Sequence, residues 1–398
     1  MVEALAKKAQ AAGAIARVAG HVLVEKARNS RPTSLDEVPR SVDALTPEWL
    51  TAALCRDVPG ARVLGATAVS GSDGSTSRRG LRIEYNAAGT AAGLPTSVYT
   101  KSTPRLLSRL ITVPASALVG EKLFYDAVRP GLDIEAPVGY HMALHPAAGR
   151  SMFLMEDVAT SKGVTFGDPT KHVLDRKNAE SMVELLGTLH GAMYESPRLG
   201  GELRTIKPVL RWQVDLNHMI NFPGRSLVGF DRAVDVIPSA CRRRRAEVWP
   251  AVMRSLEMHQ RAPRTLLHQD VHARNWYIRP DGVMGLYDWQ CMAQGIWALD
   301  VAYALSAGLT VGDRRAWERE LLERYLEHLA EAGGPKLTFD EAWRTYRQQA
   351  FHGFAFWLYT IGYGKLQPQM QPDDVCLKIL ERQANMIVDL DCFEALDE

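Results

Sequence analysis

The stretch "LLHQDVHARNWYIRPDGVMGLYDWQ", Leu266 to Gln290, concentrates two histidines, an asparagine and the aspartates Asp270 and Asp288. Short apolar runs flank Arg279-Pro280-Asp281-Gly282, a sequence whose proline and glycine favour a tight turn, so the spacing predicts a β-hairpin. Asp270 sits on the loop before it, Asn275 opens the first strand and Asp288 ends the second. Pairing of the strands brings Asn275 and Asp288 to one edge, with Asp270 above them. Carboxylate and amide oxygens are hard ligands suited to magnesium, which also keeps waters and takes substrate phosphates. A further carboxylate accepts the proton of an attacking hydroxyl. The set suits phosphoryl transfer.

Outward from this hairpin the pattern changes with position. From about Asp175 onward nearly everything else reads as helix, beginning with "AESMVELLGTLHGAMY", where Met182, Leu185, Leu186 and Leu189 share a face. The aromatic run "FHGFAFWLYTIGYG" reads as a buried helix, too short for a membrane span. Upstream, "ARVLGATAVSGSDGSTSRRGLRIEYNAAGTAAGLPTSVYTKS" reads as three strands joined by loops, followed by the helix "PASALVGEKLFYDAV". Further strands are expected around Val138–Leu144 and Ser151–Met155. Before them, "TPEWLTAAL" carries a helix start, with Thr46 as cap and Pro47 at the first helical position. The first residues place Val2, Leu5, Ala9, Ala12, Ile15, Ala19 and Val22 at helical spacing, a helix expected to pack on its own body or, alternatively, on a membrane surface. Glu3 and Glu25 disfavour a transit peptide.

Bulk properties narrow the classes. The 47 Lys+Arg nearly balance the 46 Asp+Glu, which argues against nucleic acid as a partner. The basic run Arg242–Arg245 reads as a solvated helix face. The five cysteines are odd in number and scattered, so neither a disulfide framework nor a zinc knuckle fits, and a reducing cytoplasm does.

The constellation resembles the aminoglycoside phosphotransferase family, within the protein-kinase-like superfamily that includes choline and ecdysteroid kinases. That family's catalytic loop stands here as "HQDVHARN", its metal-binding aspartate as "YDWQ", and its loop-bracing helical aspartate as Asp300 in "WALDVAYAL". The resemblance runs from about Ala61 to the C-terminus. It implies an α+β, bilobal protein-kinase-like fold, with a small antiparallel sheet N-lobe (61–157) and a larger mainly helical C-lobe (158–398); residues 1–60, outside the resemblance, read from their spacing as an N-terminal helical extension. Asp270 becomes the catalytic base, Asn275 and Asp288 the Mg²⁺ ligands, and His268 a structural support. Lys101 resembles the lysine that grips nucleotide phosphates, and Glu121 its helical partner. Met155, Glu156 and Asp157 fall where backbone meets the base of ATP, or of GTP. In "SGSDGSTSRRG", Ser75 and Thr76 resemble a phosphate-covering hairpin without the glycine pattern of protein kinases. The family's loop glycine is Gln269 here.

Two other readings stay open on residues alone. A metal-dependent hydrolase would use His268, Asp270, His272 and Asp288, but needs further ligands and leaves Lys101, Glu121 and Asn275 idle. A catalytically silent kinase-like binding module leaves the full ligand set without a purpose. The expected partner is a small hydroxyl-bearing acceptor. Aromatics such as Trp212, Phe222, Phe356 and Tyr359 suit a partly apolar alcohol, and carboxylates for a polycation are confined to the tail "DLDCFEALDE".

Overall fold

The computed structural model describes residues 13, 15–25, 27, 31–74, 76–112, 117–364 and 369–398, apart from the side chains of Ile111 and His218. They form two compact units. The first comprises the described residues up to Gly131 together with Pro137–Gly163, and the second Leu132–Ala136 together with Val164–Glu398.

In the first unit, helix α1 (Pro47–Leu54) starts as its sequence dictates. Thr46 Oγ1 accepts from Trp49 N at 3.1 Å, and Pro47 fills the first turn, where no N–H is needed. The helix lays Trp49, Leu50 and Leu54 on an antiparallel five-stranded sheet. Strands β1 (Val63–Asp73), β2 (Ser77–Tyr85), β3 (Ser97–Ser102), β4 (Gly139–His145) and β5 (Arg150–Glu156) lie in the order β1-β2-β3-β5-β4. Alternation sets the faces: Leu81, Ile83 and Tyr85 of β2 are buried while Arg82 and Glu84 are exposed. Helix α2 (Ala117–Leu123) passes directly into a π-helical turn, Phe124–Val128. Residues 15–25 are helical and bury Val18 and Val22. Glu25 there receives both terminal nitrogens of the buried Arg109, at 2.9 and 2.6 Å. This segment packs on its own unit.

In the second unit, helix α3 (Arg176–Ala192) opens with an Asp175/Asn178 capping box and buries Met182, Leu185, Leu186 and Leu189. Two short sheets interrupt the helices. One joins β6 (Thr165–Phe166), β8 (Trp276–Ile278) and β9 (Met284–Leu286), and the other pairs β7 (Thr265–Leu267) with β10 (Ala293–Gly295). Helix α4 (Phe222–Arg232) lies between β6 and β7 in the chain, and α5 (Ala298–Gly308) follows β10, buried along its whole length. Helix α6 (Val311–Glu331) packs on α3, with Gly187 and Gly191 admitting its backbone. Helix α7 (Phe351–Ile361) is largely buried, as its aromatic run requires.

Candidate functional site

The loop after β7 is built around one buried carboxylate. Asp300, on α5 and fully buried, accepts from His268 N at 2.7 Å and from Gln269 N at 2.9 Å. Its Oδ2 also lies 3.4 Å from His190 Nε2. Two successive N–H groups aimed at one carboxylate force a sharp reversal, and Gln269 makes it with φ +68°. That left-handed geometry explains a glycine in the family pattern at this position. Gln269 also carries a carboxamide buried without a hydrogen-bond partner at either end.

Asp270 follows, partly exposed. Asn275 donates Nδ2–H to Asp270 O at 2.8 Å and to Oδ2 at 3.1 Å, which leaves Oδ1 as the asparagine's remaining acceptor. The turn Ala273–Asn275 is capped by His272, and Trp276 Nε1 donates to Val271 O at 3.0 Å. The hairpin forms as its turn residues predict: Gly282 adopts φ +87°, its N–H donates to Arg279 O at 2.9 Å, and Trp276 pairs with Leu286. Beyond it, Tyr287 N donates to Asn275 O at 3.0 Å, bringing Asp288 beside Asn275. Asp288 is itself left-handed, φ +67° and ψ +59°, and 9% exposed. Trp289 is fully buried with its ring 4.6 Å from that of His268.

His268 has no nitrogen to offer a metal. Its Nδ1 accepts from Asp270 N at 3.2 Å, and its Nε2 bonds Tyr287 O at 3.0 Å and so carries the proton. Burial, only partly countered by the charges of Asp300 and Asp270, pushes its pKa down and keeps it neutral. Among the described residues no three His, Cys, Asp or Glu side chains stand together as a metal site. Asn275 and Asp288 offer instead a hard, all-oxygen donor pair, the chemistry that fits magnesium completed by water and phosphate oxygens.

The first unit holds the remaining sequence-derived residues. Lys101 Nζ on β3 lies 2.9 Å from Glu121 Oε1 and 2.8 Å from Oε2 on α2, the two side chains 3% and 1% exposed. Sequence separation of twenty residues closes into one buried ion pair. At the end of β5, Met155 is buried and Glu156 N donates to Val138 O at 2.8 Å. Glu156 accepts from Ser161 Oγ at 2.7 Å, and Asp157 accepts from Ser97 Oγ at 2.6 Å and Thr160 Oγ1 at 2.7 Å. Both carboxylates are thus committed locally. In the β1–β2 hairpin, Gly74 N donates to Thr76 O at 2.9 Å, and Thr76 Oγ1 is buried without a partner. Ser75 lies outside the described residues.

Near Asp270 stand Tyr303 and His352, which escaped the sequence reading, and Trp357, which that reading counted only among the aromatics of the acceptor region. Tyr303 OH lies 3.5 Å from Asp270 Oδ1, Trp357 Nε1 donates to Tyr303 OH at 2.8 Å, and His352 Nε2 donates to Gln269 O at 3.3 Å. Tyr303 follows Asp300 by three residues on one helix, a spacing that puts both on the same face and carried the signal.

The first unit thus holds a buried lysine–glutamate pair, and the second the braced loop with Asp270, Asn275 and Asp288. Residues 111–348 match the model of the phosphotransferase enzyme family, and the chain belongs to that family. No curated protein matches the chain in sequence. Among solved structures, an aminoglycoside phosphotransferase-like protein from Ralstonia eutropha JMP134 is 14% identical, with 87% of this chain and 97% of that one covered and a TM-score of 0.51. An aminoglycoside phosphotransferase from Alicyclobacillus acidocaldarius is 14% identical over 89% of this chain and 97% of its own, TM-score 0.47. Choline kinase from Streptococcus pneumoniae is 14% identical over 82% and 94%, TM-score 0.42. The fold is the bilobal, kinase-like α+β fold. No helix among the described residues is long and apolar enough to cross a membrane.

Proposed function

We propose that this phosphotransferase moves the γ-phosphoryl group of ATP to a hydroxyl of a small, partly apolar acceptor. The observation that carries the reading is Asp270: a partly exposed carboxylate, on a loop clamped by Asp300, with one oxygen held by Asn275. Asp270 orients the acceptor hydroxyl and takes its proton as that oxygen attacks the γ-phosphorus. Asn275 and Asp288 are the residues that would hold Mg²⁺, which when bound neutralises phosphate charge and orients the oxygens. Lys101, kept in place by Glu121, supplies a further cation to the phosphates. Backbone groups at Met155–Asp157 meet the base, and Thr76 belongs to the hairpin that covers the phosphates. Most of the rate then comes from positioning and fixed charge rather than from covalent chemistry. The five cysteines are free, which fits work in a reducing cytoplasm.

Thermal unfolding with ATP, with and without Mg²⁺, tests this directly. Nucleotide at about 100 times its Kd adds about 2.7 kcal/mol to stability. Wild type and Asp270→Asn should both show a magnesium-dependent rise in midpoint, Asp288→Ala should not, and only wild type should transfer phosphate to an alcohol. A midpoint raised by zinc alone and indifferent to ATP and GTP refutes the proposal.

A further inference from the structure

Asp270 has two oxygens, and the second is handled by residues that the phosphotransferase reading does not use. Oδ2 takes the Asn275 amide. Oδ1 faces Tyr303 OH and His272 Nε2, each at 3.5 Å. The direction of both contacts follows from chemistry. Trp357 Nε1–H is a donor only, so at 2.8 Å the Tyr303 oxygen must accept from it. The phenolic proton is then left to point at Asp270. Burial and the Asp270 charge push the Tyr303 pKa well up, so that proton stays on. His272 Nδ1 accepts from Arg274 N at 3.1 Å, so its proton resides on Nε2, toward Asp270. Burial pushes the His272 pKa down and keeps the ring neutral.

The donors are themselves fixed. Tyr303 and Trp357 are each 2% exposed. The His272 ring meets the Trp357 ring edge-on at 5.2 Å and 81°. A Cβ on Gly353 of α7 would fall 2.5 Å from Tyr303 Cδ2, so α7 presses against the tyrosine ring through a residue that has no side chain. Helices α5 and α7 thus deliver an indole-to-phenol-to-carboxylate relay. We infer that Tyr303, oriented by Trp357 and seconded by His272, is a positioning residue that locks the Asp270 carboxylate in one rotamer, so that Oδ1 is held from behind while the acceptor proton is taken.

The inference rests on the role proposed for Asp270, and water serves as the acceptor that tests it. In Mg·ATP hydrolysis the water oxygen attacks the γ-phosphorus, the bond to the β–γ bridging oxygen breaks, ADP leaves and Asp270 takes the water proton. Full-length wild type, Asp270→Asn, Tyr303→Phe, Trp357→Phe and Tyr346→Phe are compared for kcat and KM of this reaction, below every unfolding midpoint. Asp270→Asn should abolish hydrolysis. Tyr303→Phe should lower kcat about tenfold with KM for Mg·ATP within about twofold, the pattern of a lost transition-state interaction. Trp357→Phe, which keeps the phenol but frees its oxygen, should fall between Tyr303→Phe and wild type. Tyr346→Phe removes a different buried hydroxyl, 3.3 Å from Glu318, and should leave kcat unchanged. If Tyr303→Phe lowers the unfolding midpoint while kcat stays at the wild-type value, the residue is structural and the inference is overturned. If Asp270→Asn hydrolyses ATP as wild type does, the role of Asp270 fails first and the relay falls with it.

Discussion

Asp300 holds the loop that carries Asp270 through that loop's backbone. Its two oxygens accept from His268 N and Gln269 N and sit beside His190, all in a fully buried position. Asp300→Asn conserves shape but turns one acceptor into a donor facing an N–H group. A buried donor left unsatisfied costs about 1–3 kcal/mol, with more lost when a charged acceptor disappears. The expected outcome is a urea midpoint lowered by an equivalent of about 3 kcal/mol, together with loss of transfer. Unchanged stability would mean that the loop holds its reversal without the aspartate. At this scale the motif residues were legible because phosphoryl transfer restricts both residue type and spacing: Asp270, Asn275 and Asp288 lie together on a loop and hairpin as their order implied. Tyr303 and His352 were not, and Trp357 was legible only as an aromatic of the acceptor region, because a buried Tyr, Trp or His reads equally well as core until its hydrogen-bond partner is seen. Gln269 was legible only as a departure. Its φ of +68° supplies the reason a glycine is expected there.

Elements with a strong period were read well from sequence, and those set by tertiary contact were not. Helix α3, the cap of α1 and the strands of the first sheet follow from spacing, capping and alternation. The π-helical turn at Phe124–Val128 breaks what reads as one continuous helix, and the two-residue strand β6 exists only because β8 is beside it. The acidic tail also gained meaning only in three dimensions. Asp389 pairs with Arg314 and Arg315, Glu394 with Arg244, Asp397 with Arg254 and Glu398 with Arg347, so these carboxylates are engaged by arginines of the same unit. Helix contacts depend on glycine where backbones meet. A Cβ on Gly229 of α4 would sit 1.8 Å from the Leu358 carbonyl oxygen of α7, and one on Gly362 would sit 2.2 Å from Arg225 O. Backbone cannot swing aside as a side chain can, so Gly229→Ala should cost roughly 3 kcal/mol, the upper end for overpacking. Because α7 holds His352 against Gln269 O and Trp357 against Tyr303 OH, kcat should fall as well. Gly200→Ala, with no atom within 4 Å of its added carbon, is the matched control. Equal midpoints for the two variants would show that α4 and α7 separate at little cost.

For the whole molecule, near-neutral net charge conceals an acid-sensitive interior. His259 and His352 are both buried, 3% and 1% exposed, and burial pushes each pKa down from 6.5 to about 4. His259 Nδ1 accepts from Ile296 N at 2.9 Å and its Nε2 bonds Gln349 Oε1 at 2.7 Å, an arrangement suited to the neutral ring. Above pH 6.5 both histidines are neutral in the folded and unfolded chain and contribute no pH dependence. As pH falls below that value the unfolded chain binds protons and the folded one does not, so stability declines until the native rings protonate near pH 4. The difference amounts to roughly 2 kcal/mol per histidine at pH 5, and roughly 3 kcal/mol below both pKa values. Urea unfolding at pH 8 and pH 5 reads this loss directly. His259→Gln removes one of the two titrations, so it should be less stable than wild type at pH 8 but lose roughly 2 kcal/mol less on moving to pH 5. If the variant and wild type lose the same amount, the acid sensitivity resides in groups other than His259.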